Sequence, residues 1–150
     1  MLKIIGVIGG SSCSEEVFDV AYRVGRGIGE RGGILICGGM SGVMEAACKG
    51  AREAGGMTVG VLPTNSTSSA NPYVDIPIAT GLGEARNVII TRTADVLIAI
   101  DGRYGTLSEI AYALIFRKPV IGINTWDIRA PIKKVKTAEA AVELAFKLLR

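Results

Sequence analysis

Asp95-Val-Leu-Ile-Ala-Ile-Asp-Gly-Arg-Tyr-Gly-Thr-Leu-Ser-Glu109 is the stretch on which the fold is read. Val96 to Ile100 is a continuous apolar run. Flanked by turn residues, such a run suits a strand covered on both faces, as in a parallel sheet. The run breaks at Asp101-Gly102, and Gly105 follows. From Thr106 a helical pattern starts, with Leu107, Ile110, Ala111 and Leu114 on one face. A strand, a glycine turn and a helix start together make an anion site. The unpaired N–H groups of the first helical turn point at the loop, and the helix dipole favours negative charge there. Glu109 stands at the edge of that loop.

Outward from this stretch, strands alternate with helices. Leu2 to Ile8 reads as a strand, then Gly9-Gly10-Ser11-Ser12 as a turn, with Ser12 and Glu15 spaced as a capping box. The helix that follows runs to Glu30. Val17, Val20, Ala21, Val24 and Ile28 give its buried face, and Asp19 and Arg23 form an i,i+4 pair outside. Gly25, Gly27 and Gly29 weaken this helix, and close packing on the sheet is the expected compensation. Ile34 to Cys37 is a second strand. Gly38-Gly39-Met40-Ser41-Gly42 then leads into a helix from Val43 to Ala54, and Thr58 to Leu62 is a third strand. Thr64 to Asn71 is polar and expected to be a mobile, lid-like loop. Val74 to Ala79, interrupted by Pro77, suits an edge strand. A helix is expected over Glu84–Thr93 and a strand over Pro119–Ile123. Asn124 to Lys136 reads as irregular, and Thr137 caps the last helix.

This alternation predicts an α/β class: one Rossmann-like domain over residues 1–150, with a mostly parallel sheet and helices on both faces. The expected order across the sheet is 57–62, 33–37, 4–8, 95–100, 119–123, with the place of 74–79 open. Ligands in such folds bind beyond the carboxyl ends of the strands, where the strand order reverses. The loops Gly9–Ser12, Gly38–Gly42 and Gly102–Thr106 all lie at that end.

Composition narrows the chemistry. The chain has 150 residues, 49% hydrophobic, so it can bury a sizeable core and is not disordered. It has no histidine, which removes Ser-His-Asp and Cys-His catalysis and histidine metal sites. No metal and no resident cofactor is expected. Cys13, Cys37 and Cys48 form no C-x-x-C pair and read as buried free thiols of a reducing compartment. The first apolar run ends at once in glycines, unlike a signal peptide, and no run is long enough to span a membrane. A cytoplasmic protein without membrane contact is the expectation. The net charge of +3 suits an anionic small molecule and is too mild to argue for nucleic acid.

The glycine loops match neither the dinucleotide fingerprint G-x-G-x-x-G nor the P-loop. A site for a smaller phosphate-bearing ligand is what remains. The residues assigned to it are Gly9, Gly10, Ser11, Gly38, Gly39, Met40, Gly42, Gly102, Arg103, Tyr104, Gly105 and Thr106.

Gly102-Arg-Tyr-Gly105-Thr106-Leu-Ser-Glu109 resembles the P-G-G-x-G-T-x-x-E motif of the LOG family, in the SLOG superfamily formerly called lysine decarboxylase-like. Gly38-Gly39-Met40-Ser41-Gly42-Val43-Met44, with Gly50-Ala51 later, resembles that family's G-G-x-x-G-x-M…G-A segment. Arg86 falls where the family has an Arg-Lys pair. The resemblance spans Gly9 to about Phe116. It implies a phosphoribohydrolase that cleaves the base from a nucleoside 5′-monophosphate, with Arg86 and Glu109 in the catalytic positions. A carboxylate stabilises the positive charge that builds on ribose or activates water, and an arginine clamps phosphate. Three positions depart from the pattern. The motif's proline is Asp101, its second glycine is Arg103, and the lysine after the family arginine is Asn87. In these respects, and in length, the chain is similar to the branch that includes molybdenum cofactor carrier proteins, which bind a phosphorylated pterin without chemistry. The resemblance therefore implies either of two partners, a nucleoside monophosphate or a pterin phosphate.

Plainer readings stand beside these. Thr106-Leu-Ser-Glu109 is also a capping box. Arg86, in a first helical turn, reads by default as a surface arginine whose misplacement against the dipole favours a bound anion. Glu45 reads as a solvated residue or as an i,i+4 partner of Lys49. Tyr104 is either a stacking platform or a half-exposed loop residue. Finally, Ile110–Phe116 is apolar nearly all round. Ala113 and Phe116 are expected to point away from the sheet, as is Ile90 in the preceding helix. A homodimer or higher homo-oligomer, with the ligand cleft near its interface, follows.

Overall fold

The computed structural model describes residues 1–150. Its elements in chain order are β1 (Ile4–Gly9), α1 (Glu15–Glu30), β2 (Ile34–Cys37), α2 (Val43–Glu53), β3 (Met57–Leu62), β4 (Ile76–Ala79), α3 (Asn87–Thr93), β5 (Val96–Ile100), α4 (Tyr104–Ile115), β6 (Val120–Ile123), β7 (Ile132–Val135) and α5 (Ala138–Leu148). Every residue of β5 is buried. Val96, Ile98 and Ile100 enter one core, and Leu97 and Ala99 the other. The period of two along a strand explains the unbroken apolar run: both faces are covered.

The sheet has seven strands in the order β4-β3-β2-β1-β5-β6-β7, all parallel. The expected five-strand order is present. The Val74–Ala79 segment contributes the edge strand β4 beside β3, with Pro77 paired to Gly60. The other edge corrects the expectation: Ile132–Val135, read as irregular, is β7 and pairs with β6. Its two central lysines are exposed, as suits an edge strand that must not pair further.

Residues of α1, α2 and α5 line one core, and residues of α3 and α4 the other. The glycines of α1 do permit close packing, but against helices and not the sheet. A Cβ at Gly25 would lie 1.9 Å from the carbonyl oxygen of Ala47 on α2, and one at Gly50 would lie 2.0 Å from that of Tyr22 on α1. Gly27 faces Val142 of α5. The two helices therefore meet backbone to backbone.

Several local expectations change. Ser14, not Ser12, caps α1, accepting from the Val17 N–H at 3.2 Å. The Asp19–Arg23 pair forms at 2.9 Å. Glu45 makes no ion pair with Lys49, whose ammonium lies over the Tyr22 and Tyr73 rings. The Thr64–Asn71 loop carries internal hydrogen bonds, from Thr64 Oγ1 to the Ser66 carbonyl and between Thr64 Oγ1 and Ser69 Oγ. It holds a 3-10 turn at Thr67–Ser69, and the Asn71 side chain donates to the Met40 carbonyl at 2.8 Å. Ala113 and Ile90, expected to face outward, are fully buried in the second core. No helix is long and apolar enough to cross a membrane.

Candidate functional site

The strand order reverses between β1 and β5, which lie side by side. β1 leads by α1 to β2 on one side, and β5 leads by α4 to β6 on the other. The connections leave toward opposite faces, so a crevice opens above the two carboxyl ends. A cavity of about 850 Å³ fills it. That is within the usual size of small-molecule sites, roughly 300–1,000 Å³.

All three glycine loops contribute to its wall. Gly9, Gly10, Ser11, Gly38, Met40, Arg103, Tyr104, Gly105 and Thr106 line it, together with Arg86 and Glu109. Three of the residues assigned from sequence do not line it: Gly39, Gly42 and Gly102. They shape the loops from behind. Gly42 has φ 66°, and a Cβ there would lie 2.4 Å from the Gly10 carbonyl oxygen. It lets the second loop press against the first. Gly105 is the opposite case. Its added Cβ would meet nothing nearer than Glu84 Oε2 at 3.8 Å, so a bare stretch of backbone faces the cavity.

Helix α4 begins at Tyr104, two residues before the expected start. Its N-cap, Arg103, has φ −121° and ψ −147° and makes no side-chain capping bond. The capping box expected of Thr106 and Glu109 does not form. The first-turn amides of α4 are therefore left uncapped by side chains beside the cavity, where the helix dipole adds positive potential. Trp126 fixes this turn from outside, donating from Nε1 to the Arg103 carbonyl at 2.9 Å.

Arg86 is not a surface residue. It is 7% exposed, at the end of a 3-10 turn (Gly83–Arg86) that runs into α3. Its Nε donates to the Val61 carbonyl at 3.0 Å, and one terminal nitrogen donates to the Asn87 side-chain oxygen. Glu84 lies 3.7 Å away as a largely solvated, and so weak, counter-charge. Asn87 in turn donates to Ser108 Oγ at 3.1 Å, and Ser108 donates to the Gly105 carbonyl at 2.7 Å. The arginine, α3 and the first turn of α4 thus form one hydrogen-bonded unit.

Glu109, on the second turn of α4, is 7% exposed and lines the cavity. Burial pushes its carboxyl up to about 8, against the opposing pull of Arg86; Cys37 and Glu84 push the same way as burial. At neutral pH it is mostly protonated. A neutral acid in this position donates a hydrogen bond and does not repel an anion.

Sequence reasoning missed Asn87 and Ser108 as parts of the site, and Glu84, Met44 and Pro63 on its wall. Ser108 sits inside the quoted motif, which was the available signal. Of the cysteines, Cys37 and Cys48 are buried and Cys13 half-buried. Burial and Asp101 push the Cys13 thiol up, which makes it a poor nucleophile. No cluster of acidic, cysteine or histidine side chains able to hold a metal ion is present.

The whole chain superposes on solved structures. It matches the molybdenum cofactor binding protein of the phototrophic bacterium Rippkaea orientalis with a TM-score of 0.95 and 36% identity, over 100% of this chain and 99% of that one. It matches the molybdenum cofactor carrier protein of Chlamydomonas reinhardtii with a TM-score of 0.91 and 36% identity, over 99% of each. A cytokinin riboside 5′-monophosphate phosphoribohydrolase of Mycobacterium tuberculosis is 32% identical over 120 residues, 74% of this chain but only 64% of that protein. The family model for SLOG cluster4 matches residues 2–147. The chain belongs to the SLOG cluster4 family.

Proposed function

We propose that this protein binds a small ligand made of a phosphate and a flat heterocycle, and holds it without turnover, as a carrier of a phosphorylated pterin would. The phosphoryl group lies at the amides of Gly105 and Thr106, with Arg103 as a rim cation. The ring system lies toward Met40, Met44 and Gly38. The observation that carries this reading is full-length similarity, at 36% identity, to a molybdenum cofactor binding protein and a carrier of that cofactor. The chain's own residues agree with it. Arg86 spends two of its nitrogens on Val61 and Asn87, so it is a wall of the site more than a free clamp. The mostly protonated Glu109 accepts an anionic neighbour. Purification from a pterin-producing host, followed by mass spectrometry of the released small molecules, tests it. A phosphorylated pterin in near-stoichiometric amount supports the carrier, and none, with no uptake on incubation, refutes it.

A second reading has its own support. Arg86 and Glu109, the two positions implied as catalytic by the LOG resemblance, line the same cavity, and a phosphoribohydrolase is 32% identical to this chain. On that reading the protein releases free base and ribose 5-phosphate from a nucleoside 5′-monophosphate. Chromatography after incubation with AMP decides it: adenine that disappears with Glu109→Gln supports hydrolysis, and unchanged AMP refutes it.

We also propose that the protein is a homodimer through α4. Tyr112 and Ile115 are exposed on that helix, Ile115 by 68%, and Leu82 stands exposed just before the turn that carries Arg86. A second copy would cover these side chains and bring its own edge close to the cleft. Free thiols at Cys13, Cys37 and Cys48 favour a reducing, cytoplasmic setting for the assembly.

A further inference from the structure

A second cavity, of about 600 Å³, opens at the same carboxyl edge of the sheet, on the α1 side. It lies beyond the Asp101–Tyr104 turn from the first cavity. Tyr104 lines the first and Trp126 the second, and their rings stack with centroids 6.0 Å apart. The two cavities therefore share one wall. That wall is rigid: Thr125 Oγ1 donates to the Asp101 carbonyl at 2.7 Å, and the Trp126 indole to that of Arg103 at 2.9 Å.

Asp101 and Asn124 follow paired residues of β5 and β6, Ile100 and Ile123, so they stand side by side in this cavity. Both are in the left-handed region, with φ 50° and 48°. Asp and Asn adopt this conformation more readily than other non-glycine residues, and it sets both side chains at adjacent strand ends. Asp101 also replaces the proline of the family motif, exchanging an inert ring for a carboxylate. Around it stand the indole of Trp126 and the aliphatic side chains of Val17 and Val20. Lys134 is occupied by Asp127. The cavity as a whole is not cationic, so it does not fit a free anion. A carboxylate and an amide that bind hydroxyl groups, between an indole and an aliphatic wall, fit a sugar carrying a flat base.

We propose that this second cavity receives the nucleoside half of a dinucleotide-type ligand. Its pyrophosphate crosses the Asp101–Tyr104 turn beside Arg103, and its other half occupies the first cavity. The inference rests on the proposed phosphate site in the first cavity and extends it to a two-part ligand.

Two probes test it by calorimetry: 6-hydroxymethylpterin phosphate, and the same pterin joined through pyrophosphate to 5′-adenosine. Trp126 is the chain's one tryptophan and lines the second cavity, so its fluorescence reports on the wall between the two cavities. The conjugate should bind at least tenfold more tightly than the monophosphate and change the Trp126 emission. Asp101→Asn and Asn124→Gly both tolerate the left-handed backbone. Together they should reduce the advantage below threefold and leave monophosphate binding unchanged. Equal affinity of the two probes in the native chain, or an advantage that survives both substitutions, overturns the two-part ligand and leaves the phosphate site standing. Failure of the monophosphate itself to bind overturns the phosphate site, and this inference with it.

Discussion

The Asn87 side chain donates to Ser108 Oγ at 3.1 Å, joining the start of α3 to the first turns of α4. The same side chain accepts from Arg86. Asn87 is 1% exposed, so neither bond has water as a substitute. Asn87→Ala should therefore cost about 1–3 kcal/mol, the usual penalty for orphaning buried polar partners. Arg86 would lose its set position, and ligand affinity should fall with stability. Thermal melts and calorimetry on one preparation check this. Unchanged affinity in a destabilised variant would show that Arg86 positioning does not matter to binding.

The Glu109 carboxyl, raised to about 8, links stability to pH. The unfolded chain loses this proton near the ordinary glutamate value of 4.5, whereas the folded chain holds it to about 8. The stabilising contribution is complete below the unfolded value and is lost as pH rises through the folded one. Glu109→Gln removes the loss. The stability of the variant over the native chain should grow between pH 5 and 8 and level off above, reaching about 2–4 kcal/mol. Denaturant titrations at a series of pH values measure it. A constant difference across that window would mean Glu109 is ionised in the fold. Binding of a phosphorylated ligand should weaken as pH rises through about 8, where the folded Glu109 ionises and faces the anion.

The contact between α1 and α2 is the least tolerant in the molecule. Gly25→Ala or Gly50→Ala places a methyl about 2 Å from a carbonyl oxygen of the facing helix. The helices must separate, at a cost of about 3 kcal/mol or more. Gly27→Ala meets only the Val142 side chain, at 3.0 Å and beyond, and gains helix propensity. It should stay within about 1 kcal/mol of the native chain. A comparable loss at all three positions would refute the backbone contact.

The proposed dimer predicts that Ile115→Asp yields a monomer by light scattering at micromolar concentration, with the fold intact by circular dichroism. Ile115 is exposed in the single chain, so the substitution disturbs no core. A native chain that is already monomeric would dismiss the interface.

Much of the fold could be read from local pattern, since alternating strands and helices with glycine loops constrain a parallel sheet tightly. What escaped depended on distant partners. The start of α4 is set by Gly102, with φ 102°, and by the Trp126 indole, 23 residues away from Arg103. Nothing within Thr106-Leu-Ser-Glu109 reveals that its side chains turn to the cavity instead of capping. Strand β7 hid because Ile-Lys-Lys-Val lacks an apolar alternation, which an edge strand with exposed lysines does not need. The burial of Arg86 depends on a carbonyl of β3 and on the very asparagine that looked like a departure from the motif. Local helical pattern likewise misplaced Ala113 and Ile90, because α3 and α4 pack into one core from angles their own sequences do not encode.

The central claim is that backbone amides around Gly105 hold a phosphoryl group. Calorimetric titration with 6-hydroxymethylpterin phosphate, set against the same pterin without its phosphate, tests it most directly. The phosphorylated compound should bind, with at least a hundredfold loss of affinity without the phosphate. Equal affinity for the two, or no binding of either, would contradict it.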